Sequence, residues 1–223
     1  MVTLQRAGGI AALVEALIYV VGFAVMATLM NAGDTEGWSQ GQKLSFLLER
    51  KTLFQTWMIF IYVLFGVVLV VLATALHDRL KTNSETLMSI ATAFGLIWAG
   101  LVIASGMVAS VGLETVAKLH SLDVTQAASA WVVIASIQDG LGGGVELVGG
   151  LWVLLISAAS FRSDAFPRLL AYLGTVVGVA GILTIAPPLK ELGTLFGLGQ
   201  ILWFAWIGVS MIHRGVAQQA IAA

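Results

Sequence analysis

The sequence predicts an all-α fold, a polytopic transmembrane bundle of six helices joined by short loops, on three observations. Of 223 residues, 59% are hydrophobic and only 10% are charged, whereas a soluble domain carries about 25% charged residues. Six apolar stretches reach the roughly 20 residues that a helix needs to cross a hydrocarbon core of about 30 Å. All 11 Lys and Arg residues fall in the polar segments between those stretches. Mean hydropathy is +0.97.

The spans lie at about residues 8–30, 54–76, 89–112, 131–159, 168–188 and 191–213, within one domain over 1–223. The first apolar stretch, Gly8 to Met30, is longer than a signal-peptide core. It contains Glu15 and lacks a small-x-small cleavage site, so it reads as a span. In the loop that follows, Leu44, Leu47 and Leu48 share one helical face, with Lys43, Glu49 and Arg50 elsewhere. That pattern reads either as a short amphipathic helix on the membrane surface or as an ordinary structured loop.

Asp123 and Gln126 have the spacing of a capping box that starts a helix near Val124. A helix from there to Ala159 would be about 54 Å long at 1.5 Å per residue. It must therefore tilt, protrude or break, and Gly140, Gly142, Gly143 and Gly144 mark the place to bend. The fifth and sixth spans are separated only by Pro187, Pro188, Leu189 and Lys190, which predicts a tight antiparallel pair. With an even number of spans, Arg6, Arg79, Lys81, Arg162, Arg168 and Arg214 share one side with the termini. Lys43, Arg50, Lys51, Lys118 and Lys190 share the other. Six against five places both termini in the cytoplasm.

Composition excludes several functions. A net charge of −1 leaves no footprint for nucleic acid. With no Cys there are no disulfides, thiolate metal sites or Cys nucleophiles. His77, His120 and His213 sit at or beyond the ends of apolar runs, so neither a transmembrane haem nor another metal site is expected. No phosphate-loop, HExxH or GxSxG motif occurs; the run Gly140 to Val145 lacks the last Gly of GxGxxG. No catalytic residue and no cofactor is assigned.

The chemical clue is a set of carboxylates inside apolar runs: Glu15, Asp139 and Glu146. A charged side chain at the centre of a span costs roughly 2.5–3.5 kcal/mol. With no Lys or Arg inside the spans, these acids are expected to be neutral, hydrogen-bonded or paired with an external cation. Gln138, Gln200, Tyr19, Tyr62, Thr175 and Thr184 are the available partners. On an unbroken helix Asp139 and Glu146 share a face with Gly142, Gly143, Gly150 and Ser157. Leu141, Val145, Val148, Trp152 and Leu155 then form the opposite face, which is expected to meet lipid. Spans one, four and six are expected to meet around a polar centre of Glu15, Glu146 and Gln200. The rival reading is that protonated acids act as interhelical glue. Gly140/Gly144, Gly174/Gly178 and Gly193/Gly197 have GxxxG spacing, read as packing within the chain or, alternatively, as a dimer face. Val14-Glu15 and Val145-Glu146 fall at corresponding positions of two three-span halves, a faint sign of an inverted repeat.

The stretch Asp139 to Trp152, the loop reaching Pro167-Arg168, Leu173 to Ile182, and Phe196 to Trp203 together resemble a bacterial family of uncharacterised six-helix membrane proteins, a domain of unknown function. The resemblance covers the last 90 or so residues and implies six spans in a prokaryotic cytoplasmic membrane. It implies no reaction, substrate or site.

The first functional expectation is a small transport or ligand-binding bundle. Glu15, Asp139 and Glu146 would form a protonatable or cation-binding centre, Gln138 and Gln200 would be its polar partners, and the glycine run would flex the fourth helix. The alternative is a structural or accessory subunit of a larger membrane complex. An intramembrane enzyme working by acid–base chemistry is the third. The lipid bilayer is the expected partner, and a homo-oligomer or a partner in a membrane complex is left open.

Overall fold

The computed structural model describes residues 3–221, with side chains as far as His213; the Arg214 side chain, counted above for orientation, lies outside that range. The described residues form helices and no strand. Helix α1 (Leu4–Ala27) is N-capped by Thr3, whose hydroxyl accepts the Arg6 N–H. A long loop leads to α2 (Gln40–Glu49), which starts with a full capping box. The Ser39 hydroxyl accepts the Gln42 N–H at 3.2 Å, and the Gln42 side chain accepts the Ser39 N–H at 2.8 Å. Helix α3 (Lys51–Met58) continues through a π-helical segment, Ile59–Leu64, into α4 (Phe65–His120).

Helix α4 is two arms. Ser84 leaves helical geometry (φ −158°, ψ 50°), and the chain turns back there on itself. The arms close as an antiparallel hairpin: a Cβ on Gly66 would meet Ile103 and the Ala99 carbonyl, and one on Gly106 would meet Tyr62 and the Met58 carbonyl. Gln55 donates to the Ser110 carbonyl, and Lys51 pairs with Glu114 at 2.8 Å. Helix α5 (Val124–Gln138) begins at Asp123, which accepts the Gln126 N–H at 2.9 Å. A second π segment, Asp139–Gly143, leads to α6 (Leu147–Phe161); α7 (Arg168–Leu183), a 3₁₀ turn at Pro187–Leu189 and α8 (Leu192–Ile221) complete the chain.

Six helical passes result, with the two arms of the hairpin counted separately. Among the described residues, four helical runs are long and apolar enough to cross a membrane: Leu4–Ala27, Lys51–His120, Val124–Phe161 and Leu192–His213. Helix α7 is apolar but shorter. Large apolar side chains face outward on almost every pass, among them Leu17, Val67, Ile97, Val176 and Leu202. A soluble monomer rarely exposes so much contiguous apolar surface, and a bundle bathed in lipid does.

The core has two parts. The larger joins α1, α4, α6, α7 and α8 around Trp98, Trp152, Trp203 and Phe204. The smaller holds Leu44, Phe54, Met58, Leu113, Val116 and Ala127. This changes two expectations. The apolar face of α2 turns inward, with Leu44 only 1% exposed and Leu47 and Leu48 packed on the same cluster. Nor does the fourth span show lipid a broad greasy face. Trp152 is wholly buried, its ring 5.6 Å from those of both Trp98 (tilted) and Trp203 (edge-on), and Leu141, Val145, Val148 and Leu155 are half-buried. The reason is that α6 lies between α4 and α7. Its glycines touch α7 backbone to backbone: a Cβ on Gly150 would stand 2.6 Å from the Gly178 carbonyl and from Ile182 N. Gly174 and Gly178 thus pack within the chain, as Gly197 does against Tyr19 and Phe23, while Gly140 has open space.

Candidate ligand site at the break in the fourth helix

The fourth pass is broken where its glycines cluster. Gly142 takes φ +111°, a left-handed conformation open to glycine at little cost. Gly144 also leaves the helical region (φ −156°, ψ −8°). The Asp139 carbonyl accepts two N–H groups, from Gly144 at 3.3 Å and Val145 at 3.2 Å. The next helix starts at Glu146, whose carbonyl accepts the Gly150 N–H at 2.8 Å. Asp139 and Glu146 therefore do not share a continuous helical face.

Backbone groups freed by a break inside an apolar bundle need other partners, and neighbouring passes supply them. Ser105 donates to the Gln138 carbonyl at 3.0 Å. The Tyr62 hydroxyl donates to the Gly143 carbonyl at 3.3 Å and accepts from Gln138 Nε2 at 3.2 Å. Thr184, at the end of α7, accepts the Glu146 N–H at 2.8 Å.

Beside the break is a cavity of about 240 Å³. Its walls come from the end of α1 (Tyr19, Gly22, Phe23), from Trp57, Ile61, Tyr62 and Phe65 on the second pass, and from Trp98 and Val102 on the third. Gly142, Gly143 and Glu146 at the break and Gly193 and Gly197 on α8 close it. The two π segments face each other here, Ile61 and Tyr62 from one and Gly142 and Gly143 from the other. Such segments recur at functional sites because they displace side chains from regular helical positions. Tyr19 and Trp98 each pack edge-on against Phe65, at 5.6 and 5.2 Å. Among the described residues, Glu146 is the one Asp, Glu, Lys or Arg lining the cavity. Its carboxylate has no hydrogen bond or ion pair with a described residue.

The other acids lie elsewhere. Asp139 is at the edge of the break, its carboxylate 2.8 Å from Lys190 Nζ with both side chains about half exposed. A base in the α7–α8 turn thus reaches an acid that the sequence placed among unpaired ones. Glu15 and Gln200 are fully buried, and neither side chain has a hydrogen-bond partner among the described residues. They fall between the Gly9–Gly208 and Phe23–Gly197 contacts of α1 with α8, in the core below the cavity. Tyr19, one turn beyond Glu15 on α1, lines the cavity. Of the five residues expected to form the polar centre, then, Glu146 lines the cavity and Gln138 braces its wall, while Asp139, Glu15 and Gln200 do neither; Tyr19, Tyr62, Gly142 and Gly143, also singled out, line it too. The aromatic wall of Trp57, Phe65 and Trp98 was not anticipated, because aromatic residues in apolar runs carry no signal that separates a cavity wall from core.

A sequence model for the family described as Domain of unknown function (DUF4386) matches residues 7–215. No curated protein and no solved structure gives a match.

Proposed function

As the chain belongs to the DUF4386 family, whose description names no reaction, we propose from its geometry that it is a membrane-embedded ligand-binding or transport bundle that holds a small molecule against Glu146. One observation carries this reading. The break at Gly142–Gly144 puts an unpaired carboxylate on the wall of a cavity instead of packing it against a neighbouring helix. Interrupted helices with polar groups at the interruption are the pattern of transporter binding sites. In this reading the helices cross a prokaryotic cytoplasmic membrane with both termini in the cytoplasm, an orientation supported by the bias of Lys and Arg. The cavity, at the C-terminal end of α1, then lies toward the outer leaflet.

Native mass spectrometry of the protein extracted gently from its own membrane tests the reading. The wild type is expected to retain a small molecule that Glu146→Gln loses. Because the chain has no Cys, an Ile61→Cys variant carries a unique thiol on the cavity wall. Its reaction with a small methanethiosulfonate is expected, and the retained molecule is expected to slow it. Wild-type protein that carries nothing, together with an unreactive thiol at 61, would overturn the reading. A stoichiometric protein partner in place of a small molecule would favour an accessory subunit.

A further inference from the structure

Resting on that reading, we infer that the cavity takes an organic monocation, an amine or quaternary ammonium with a compact apolar body, its charged head held by Glu146 and by surrounding aromatic rings. Charge comes first. Among the described residues, Glu146 is the one carboxylate lining the cavity, and no described Lys, Arg or His lines it. An anionic ligand would meet a carboxylate with nothing to balance it, in a low-dielectric surround where like charges repel strongly. The start of α6 does not reverse this, because Glu146 itself occupies the cap position at that helix end.

The kind of cation comes second. A hard metal ion needs about six oxygen ligands. Here the oxygen-bearing side chains among the lining residues are Glu146, Tyr19 and Tyr62, and the described residues gather no group of three His, Cys, Asp or Glu. What the wall has in abundance is aromatic: Tyr19, Phe23, Trp57, Tyr62, Phe65 and Trp98. Aromatic rings attract cations through their quadrupoles, and a carboxylate among such rings is the established chemistry for alkylammonium groups. The remaining wall, Ile61, Val102 and glycine backbone, suits an apolar body.

Three of these rings, Tyr62, Phe65 and Trp98, are also held in advance by their contacts. Phe65 is 3% and Trp98 2% exposed, and Trp98 is held in turn by Trp152 at 5.6 Å and Phe196 at 6.2 Å. The Tyr62 hydroxyl is tied to both sides of the break. Rings already ordered by packing spend little of a ligand's interaction energy on ordering.

The test is a titration of the purified full-length chain with tetraethylammonium and with its neutral carbon isostere, 3,3-diethylpentane, read by tryptophan fluorescence and calorimetry. Saturable binding of tetraethylammonium is expected, at least ten-fold tighter than the isostere. Glu146→Gln is expected to weaken it about ten-fold or more and Trp57→Leu a few-fold, with isostere binding unchanged in Glu146→Gln. Circular dichroism and gel filtration matching wild type confirm that each variant is folded; should Glu146→Gln not fold, Glu146→Asp is used, with a smaller loss expected. Equal binding of both compounds, or tetraethylammonium binding indifferent to residue 146, overturns the cation inference while the ligand-cavity reading stands. Binding of neither compound overturns the inference too, and the reading itself falls only if the thiol at 61 is also unreactive.

Discussion

Thr184 Oγ1 accepts the backbone N–H of Glu146 at 2.8 Å and donates to the Gly181 carbonyl at 2.7 Å. One hydroxyl thus ends α7 and fixes the first residue of the helix that follows the break. Thr184 is 2% exposed, so water cannot replace it readily. Loss of the hydroxyl leaves the Glu146 N–H without this partner, while the Gly181 carbonyl keeps the Thr184 N–H, at a cost of about 1–3 kcal/mol for a buried unsatisfied group. Thr184→Val keeps the shape and is expected to lower stability by that amount in chemical denaturation, whereas Thr184→Ser is expected to stay close to wild type. Equal stability of the Val and Ser variants would show that the hydroxyl does not secure the break.

The glycines at the break are not equivalent. Gly142 takes φ +111°, while Gly140 has nothing within 4 Å of a built Cβ. A Cβ on Gly143 would run into the Gln138 side chain and carbonyl. Gly142→Ala is therefore expected to cost about 1–3 kcal/mol from the strained backbone, and Gly140→Ala to be neutral or slightly stabilising. The pair is measured by thermal unfolding of the purified protein. A Gly142→Ala variant as stable as Gly140→Ala would mean that the fourth pass does not break at 142.

How much of this was legible follows from which signals are local. Length, hydropathy and the Asp123 cap are properties of short windows, so the passes, the start of α5 and the bend near Gly140–Gly144 could be read directly. The hairpin turn at Ser84 falls in the polar segment between two apolar runs and was legible as a loop. Partnership was not. Asp139 sits seven residues from Glu146 and 51 from Lys190, and helical periodicity favours the near pairing until the helix breaks. The inward turn of Leu44 depends on the smaller core, which joins residues from four separate segments. The cavity depends on the π segment at Ile59–Leu64, and no residue pattern in that apolar run distinguishes it from an α-helix.

The Asp139–Lys190 pair ties the break to the α7–α8 turn, but both partners are about half exposed. Ion pairs of that kind contribute about 0–1 kcal/mol. Asp139→Asn and Lys190→Ala are each expected to change stability by less than about 1 kcal/mol, and the double variant is expected to show coupling no larger than that. Coupling above about 2 kcal/mol in the cycle would show that the pair is far better shielded than its exposure implies.

Glu15 makes the opposite case. It is fully buried on α1, both carboxyl oxygens lack a hydrogen-bond partner among the described residues, and its neighbours include Ala11, Ala12 and Ile18. An unsatisfied buried polar group costs about 1–3 kcal/mol, and replacing buried ionisable groups by apolar residues of similar volume is often neutral or stabilising. Glu15→Leu is therefore expected to raise the unfolding midpoint, Glu15→Gln to leave it nearly unchanged, and Glu15→Lys to lower it. Thermal unfolding in one detergent compares the three. If Glu15→Leu is instead the destabilised variant, Glu15 is bonded in the membrane, to a buried water or to Gln200 after a change of rotamer, and the acid is glue after all. If it is stabilised, the chain keeps an acid there at the expense of its own stability.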